Sequence, residues 1–342
     1  MNNEEQNYMS MSTEQAQWYQ ETFAKLVANV GKSVLGKTQT IELVLTALLA
    51  EGHVLLEDAP GTGKTMLARS LAATVKGSHS RIQFTPDLLP SDVTGITIYD
   101  QRTQEFEFHH GPIFANLVLA DEINRASPKT QSALLEVMEE GQVTVDGATY
   151  TQPRPFMVIA TQNPIEQAGT YRLPEAQLDR FLIKTSIGYP DREATVQLLG
   201  GSALRDRSAA LSPVITTEAI AEMADLAASV HVDDAVLDYV AALCEATREA
   251  PETRLGVSVR GALAMVRAAK VWAASQGRNY VLPDDVKELA QHVFSHRLVL
   301  DPEAEFSGAT AAAVIDAVLR ATAAPTRRGS TTQDELAEDS SR

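Results

Sequence analysis

The run Glu57-Asp58-Ala59-Pro60-Gly61-Thr62-Gly63-Lys64-Thr65 has the residue types and spacing to hold a chain of phosphates. A triphosphate needs many amide hydrogens aimed at one point, and a loop that wraps onto a helix N-terminus supplies them. Gly61 and Gly63 let the backbone curl with no side chain in the way. Lys64 would reach the β- and γ-phosphates, and the Thr65 hydroxyl would ligate Mg2+. The candidate nucleotide-binding set is therefore Pro60, Gly61, Thr62, Gly63, Lys64, Thr65 and Met66. The common pattern starts on Gly where this chain has Asp58. A Gly-rich turn that only caps a helix is the plainer alternative, and Gly-Lys-Thr between a strand and a helix argues against it.

A second group follows in Leu117-Val118-Leu119-Ala120-Asp121-Glu122. Four apolar residues predict a buried strand, and two carboxylates emerge at its C-terminal end, where ligands bind in parallel sheets. Asp121 would hold the metal through its water shell, and Glu122 would orient and deprotonate an attacking water. A third strand, 156–161, delivers Gln162-Asn163-Pro164; Asn163 could hold the same water, although Asn-Pro also favours a plain turn. Other residues promise less. His109-His110 precede Gly-Pro with no further ligand at metal spacing, so a solvated turn is the expectation. Cys244 is the single cysteine, set among Ala241, Leu243 and Ala246, and reads as a buried, inert thiol. Trp18 and Trp272 read as core or interface aromatics.

The elements that must position these groups alternate. Residues 53–57, 80–84, 117–121, 156–161 and 182–187 read as buried strands, with helices over 64–76 and 128–140; this predicts a parallel sheet with helices on both faces, a three-layer α/β fold. Two hairpins, 95–99 with 105–109 and 143–145 with 148–150, interrupt it as insertions; the second turns on Asp146-Gly147, which favours a tight type I′ turn. A helix over 13–30 precedes the sheet, ended by Gly31. Beyond about residue 200 the strand signals stop, and helices over 217–230, 233–249, 258–275, 283–296 and 308–323 predict a separate all-helical domain. The expected division is disorder over 1–12, an α/β core with its N-terminal helix over 13–195, the helical domain over 196–323 and a disordered acidic tail over 324–342.

Composition narrows the function classes. The formal charge of −16, from 29 basic and 45 acidic residues, disfavours phosphate-driven binding of nucleic acid, and no Lys/Arg-rich run builds a local groove. No apolar stretch reaches the length of a membrane span, and the first residues carry no secretory signal pattern. A cytoplasmic protein is the expectation.

Several longer stretches carry a resemblance: residues 83–92 (QFTPDLLPSD), 111–116 (GPIFAN), 121–126 (DEINRA), 173–181 (LPEAQLDRF) and 257–262 (VSVRGA). Together with the phosphate loop, in which Glu-Asp before Pro-Gly fits, they resemble a MoxR-type member of the AAA+ ATPases from about residue 30 to 300. The resemblance implies ATP and Mg2+ as cofactors and a homo-oligomeric ring, commonly a hexamer, with ATP held between neighbours. It implies Asn163 as first sensor, Arg260 as second sensor on the lid and Arg180 as an arginine finger, with Arg172 and Arg125 as rivals. It places Gly36, in Val34-Leu35-Gly36, beside adenine, and the Asp146-Gly147 hairpin toward the pore. The implied work is remodelling or maturation of protein clients, with metal insertion as one form, often beside a von Willebrand factor A domain partner. A nucleic-acid motor and a metal-chelatase motor subunit are the alternatives.

Overall fold

The computed structural model describes residues 10–58, 61–163, 171–200 and 207–325. Helix α1 (Thr13–Gly31) starts on a capping box: Ser12 Oγ accepts from the Gln15 amide at 3.1 Å and Gln15 Oε1 accepts from the Ser12 amide at 2.8 Å. It buries Tyr19, Phe23, Leu26 and Val30. The chain is packed two residues before it. Met11 is buried and its carbonyl accepts from Asn279 Nδ2, so the expected disorder does not extend through residue 12: an apolar side chain with a core to enter holds that stretch. Trp18, on the other face of α1, is half exposed.

Helix α2 (Thr38–Leu49) has no counterpart in the sequence reading. Nine of its twelve residues are buried, so it shows no polar stripe from which a helical period could be read. It leads into β1 (Val54–Glu57), followed by α3 (Lys64–Thr74) and β2 (His79–Gln83). The short α4 (Pro90–Thr94) opens a hairpin of β3 (Gly95–Asp100) and β4 (Glu105–His110). Then come β5 (Leu117–Asp121), α5 (Pro128–Glu140), a second hairpin of β6 (Gln142–Val145) and β7 (Ala148–Thr151), β8 (Met157–Gln162), α6 (Glu175–Leu178) and β9 (Ile183–Thr185).

The central sheet runs β2-β5-β8-β1-β9, parallel throughout. Its strands alternate strictly between two cores, as the period of two demands. Val54, Leu56, Leu117, Leu119, Met157 and Ile159 enter the core shared with α1, α2 and α3. Leu55, Val118, Ala120, Val158 and Ala160 enter the one shared with α5. Each hairpin forms its own two-stranded sheet. Asp146 and Gly147 both have positive φ, 51° and 82°, as a type I′ turn requires. The hairpins are tied together by aromatic rings: Phe108 stacks on Tyr150 with centroids 4.2 Å apart, and His110 meets Phe114 edge-on at 4.3 Å. His110 thus sits within an aromatic cluster.

The remaining elements are α7 (Arg192–Gly200), α8 (Thr217–Ala228), α9 (Asp234–Glu249), β10 (Thr253–Leu255), α10 (Val259–Ser275), α11 (Pro283–Phe294), β11 (Val299–Leu300), α12 (Pro302–Phe306) and α13 (Ala311–Ala321). Three expectations are corrected here. A boundary at 195/196 falls inside α7, which passes through it unbroken. Strands do not stop at 200, because β10 and β11 pair antiparallel; both are too short to leave a periodic signal. The lid is also not separate: Met265, Trp272, Leu289 and Phe294 belong to the same core as α1, α2 and one face of the sheet. Trp272 donates to Glu288 Oε2 at 3.0 Å from within that core. At the far end Ala324 still packs against the core, inside the stretch expected as tail; residues 326–342 lie outside the described ones. Among the described residues no helix is long and apolar enough to cross a membrane.

Candidate active site

The phosphate loop leaves β1 at the carboxyl end of the sheet, between Asp58 and the start of α3. Pro60 lies outside the described residues. Gly61 and Gly63 take φ of 84° and 97°, and among the described residues a Cβ built on either would meet nothing within 4 Å, so the loop is open on that side. Thr62 is buried, Lys64 Nζ donates to the Asp58 carbonyl at 3.1 Å, and Met66 packs on the core beneath. Asp58 explains its departure from glycine. Its buried carboxylate accepts from the amides of Ile187 at 2.5 Å and Gly188 at 2.9 Å, fastening the loop to the segment after β9. Gly36 approaches Asp191 and Ala194 so closely that a Cβ would stand 3.2 Å from Ala194 Cβ.

Asp121 and Glu122 end β5 beside this loop. Thr161 Oγ1 donates to Asp121 Oδ1 at 2.6 Å and accepts from the Glu122 amide at 2.9 Å, so one buried hydroxyl fixes both residues. Glu122 itself stands in the left-handed region, φ 58° and ψ 49°, a conformation that costs a non-glycine residue about 1–3 kcal/mol and is retained where surroundings over-determine it. Its carboxylate accepts from Gln83 Nε2 and from Arg125 NH1, each at 2.9 Å. Arg81 NH2 pairs with Asp121 Oδ2 at 2.6 Å. Gln131, buried in α5, donates to the carbonyls of Ile123, Ala126 and Tyr171 and so locks the turn that carries Arg125. Asn163 is buried directly after β8, next to Asp58, whose amide donates to the Gln162 carbonyl.

A cavity of about 200 Å³ is lined by Thr65, Arg81, His79 and Leu119 among others, so it runs from the Thr65 side of α3 to the Arg81 that holds Asp121. A hydroxyl at the start of the helix and a carboxylate at the strand end form an all-oxygen donor set that suits Mg2+, which keeps several waters and takes few protein ligands. Open amides on a helix N-terminus, a lysine and this oxygen pair are a fit for a magnesium nucleotide.

Arg180 and Arg260 lie elsewhere. Arg180 lies three residues before β9, and the Leu182 amide, next to that strand, donates to the carbonyl of His53, the residue before β1. Arg180 is therefore at the amino end of the sheet, a strand's length from the phosphate loop of its own chain, or about 13 Å for four residues. Its NH2 reaches Glu139 Oε2 at 2.8 Å, while Arg260 NH2 takes Glu139 Oε1 at 3.0 Å, so one carboxylate at the end of α5 holds both. Arg180 Nε is buried without a partner among the described residues. Behind the pair stands Asp179, which accepts from Arg297 Nε at 2.7 Å and from Ser258 Oγ at 3.3 Å. Arg297 also donates to the carbonyls of Phe181 and Val293. Burial lowers its pKa to about 10 although Asp179 opposes the shift. Gly261 has to be glycine here, since a Cβ would overlap Val257 and Arg297. Arg125 and the exposed Arg172 lie at the other, carboxyl, end, Arg125 on its own Glu122 and Arg172 next to Tyr171, whose amide donates to the Asn124 carbonyl.

The site residues that sequence reasoning missed are Thr161, Arg81, Gln83, Glu139, Asp179 and Arg297. Gln83 and Asp179 fall inside quoted motifs without a role having been read for them, and Glu139 carries no local signal. Cys244 is buried, which pushes its thiol up to about 11, so no thiolate is available there at neutral pH.

Residues 53–183 match the ATPase family associated with various cellular activities, and 245–318 match its lid domain. Protein YeaC of Bacillus subtilis is 49% identical over 304 residues, 89% of this chain and 95% of its own. Chaperone MoxR1 of Mycobacterium tuberculosis is 42% identical over 313 residues, covering 89% of this chain and 82% of its own. The crystal structure of a candidate ATPase from Cytophaga hutchinsonii superposes with a TM-score of 0.85 at 38% identity, over 92% of this chain and 98% of that one.

Proposed function

The chain belongs to the MoxR-type AAA+ ATPases, and we propose that it hydrolyses ATP at the subunit interfaces of a homo-oligomeric ring, a hexamer, to remodel or mature protein complexes. One observation carries the interface reading. Arg180 and Arg260 are held together on Glu139 at the amino end of the sheet, where neither reaches the phosphate loop of its own chain. A cation meant for a γ-phosphate and kept that far from it serves a neighbour.

In this reading Pro60 opens the loop, the amides from Gly61 to Met66 and the Lys64 ammonium hold the phosphates, and Gly36 borders the adenine. Thr65 and Asp121 hold the metal. Mg2+, when bound, supplies charge neutralisation at the phosphoryl oxygens. Glu122, with its backbone fixed by Thr161, takes the proton from the attacking water, and Asn163 orients that water. Arg180 enters from the adjacent subunit as the finger, and Arg260 comes with it as the second sensor. Asp179 positions both, because it joins the segment before β9 to the start of α10 and to Arg297.

The client is a protein complex. The charge of −16 speaks against a nucleic-acid track. A von Willebrand factor A domain partner, metal insertion as one maturation task and a cytoplasmic setting belong to this reading through the family resemblance. MoxR1 is itself named a chaperone.

A nucleotide that bridges two subunits binds the assembled form better and shifts the equilibrium toward it by mass action. Light scattering should therefore show a larger species with ATP and Mg2+ than without. A strict monomer under both conditions at tens of micromolar would leave no place for a shared site.

A further inference from the structure

The two oxygens of Asp121 are both taken, by partners of different kinds. Oδ1 belongs to Thr161, a fully buried hydroxyl that also fixes the Glu122 amide and has no freedom to leave. Oδ2 belongs to Arg81, whose side chain is 50% exposed, on β2 at the edge of the sheet order and on the wall of the cavity that Thr65 also lines. The same guanidinium nitrogen donates to Gln83 Oε1 at 3.0 Å, and Gln83 Nε2 donates to Glu122 Oε2 at 2.9 Å. Arg81 therefore orients the Gln83 amide, with its oxygen toward the guanidinium and its nitrogen toward Glu122. A dication held by Asp121 and Thr65 would meet the guanidinium as a like charge at close range, and the repulsion grows as water is excluded. Of the groups around Asp121, Arg81 is the one with room to withdraw.

We propose that Arg81 is a stand-in for the metal: it neutralises Asp121 while the site is empty and restrains Glu122 through Gln83. It gives way when Mg2+ enters, so the edge strand sets the magnesium concentration at which the base is released. This rests on the assignment of Asp121 to the metal shell. Arg81 is a positioning residue acting through Asp121 and Gln83, and it touches no reacting atom.

The test uses the full chain and a fluorescent, non-hydrolysable ATP analogue. Analogue binding is titrated with MgCl2, and its affinity is measured separately in EDTA. Arg81→Ala should lower the magnesium midpoint by about two- to fivefold, the range for a partly exposed ion pair, with affinity in EDTA unchanged. Arg81→Lys should restore the wild-type midpoint, and Arg81→Gln replaces the alanine variant if that one fails to fold. An unchanged or higher midpoint overturns the proposal. So does a loss of affinity in EDTA, which would make Arg81 a phosphate ligand. Asp121→Asn separates the two levels: a wild-type midpoint in that variant removes Asp121 from the metal shell, whereas a lost metal response with no Arg81 effect rejects the stand-in alone.

Discussion

The central sheet ends in two different environments. At its carboxyl end the backbone is held in left-handed conformations at Gly61, Gly63 and Glu122, open space lies over the glycines, and the carboxylates of Asp121 and Glu122 are tied to arginines that are themselves half exposed. At its amino end several polar groups are buried and paired, although Arg180 Nε has no partner among the described residues. His53 is fully buried, with Nε2 donating to the Met138 carbonyl and Nδ1 accepting from the Val158 amide, each at 3.0 Å. Arg297 is closed over Asp179 and the carbonyls of Phe181 and Val293. Openness thus lies where, in the proposed function, a ligand would supply the missing contacts. Buried pairing surrounds Arg180 and Arg260, which the proposed function assigns to a neighbouring subunit. In the proposed function one end does the chemistry and the other presents a tool.

That contrast can be broken from either side. The largest effect belongs to the carboxyl end. Glu122→Gln keeps the hydrogen bonds from Gln83 and Arg125 within reach but cannot accept a proton, so turnover should fall by about 10²–10⁴ with nucleotide affinity retained. Phosphate release and analogue binding measured on one preparation check it, and near-normal turnover removes Glu122 from the base role. At the amino end the loss should be of stability. Asp179→Ala leaves the Arg297 guanidinium buried without its partner, which costs about 3–5 kcal/mol. Denaturant unfolding should register that loss while the folded fraction still binds ATP. A variant as stable as wild type would mean that this end is not held by the pair.

The smallest effect sharpens the comparison through pH. His53 must stay neutral, because a proton on Nδ1 would face the Val158 amide hydrogen. Burial lowers its pKa from 6.5 to about 4. The unfolded chain therefore takes up a proton between those values that the folded one refuses. Stability is full above pH 6.5 and falls as the pH drops toward 4, by about 1.4 kcal/mol per unit in the middle of that window. His296 adds in the same direction, since burial and the neighbouring Arg297 push its pKa down as well. His53→Gln should flatten the slope of unfolding free energy against pH, and an unaltered slope would show that this ring is not what the fold protects.

Much of the carboxyl end was legible because its chemistry is local. A phosphate loop, two carboxylates after an apolar run and a strand ending in Asn163 are each written in consecutive residues. The amino end was legible only in part, because its contacts join distant segments: Glu139 meets Arg180 and Arg260, and Asp179 meets Ser258 and Arg297, with nothing in any one stretch to announce it. Helix α2 was missed for the opposite reason, since burial all round erases the period by which a helix is read. Arg81 shows a third case. An arginine on an edge strand looks like surface charge until the register brings it across from β5, with Gln83 opposite Asp121.

The central claim is that the amino end of one subunit completes the carboxyl end of the next. Mixing two inactive variants tests it most directly. Lys64→Ala lacks a working phosphate loop but keeps its finger, and Arg180→Ala lacks the finger but keeps its loop. In a mixed ring the Lys64→Ala subunit can offer Arg180 to the intact loop of its Arg180→Ala neighbour, so ATP turnover should reappear on mixing, where each variant alone has lost it. Mixed rings that demonstrably form and stay inactive would contradict the account and pass the finger role to Arg172 or Arg125.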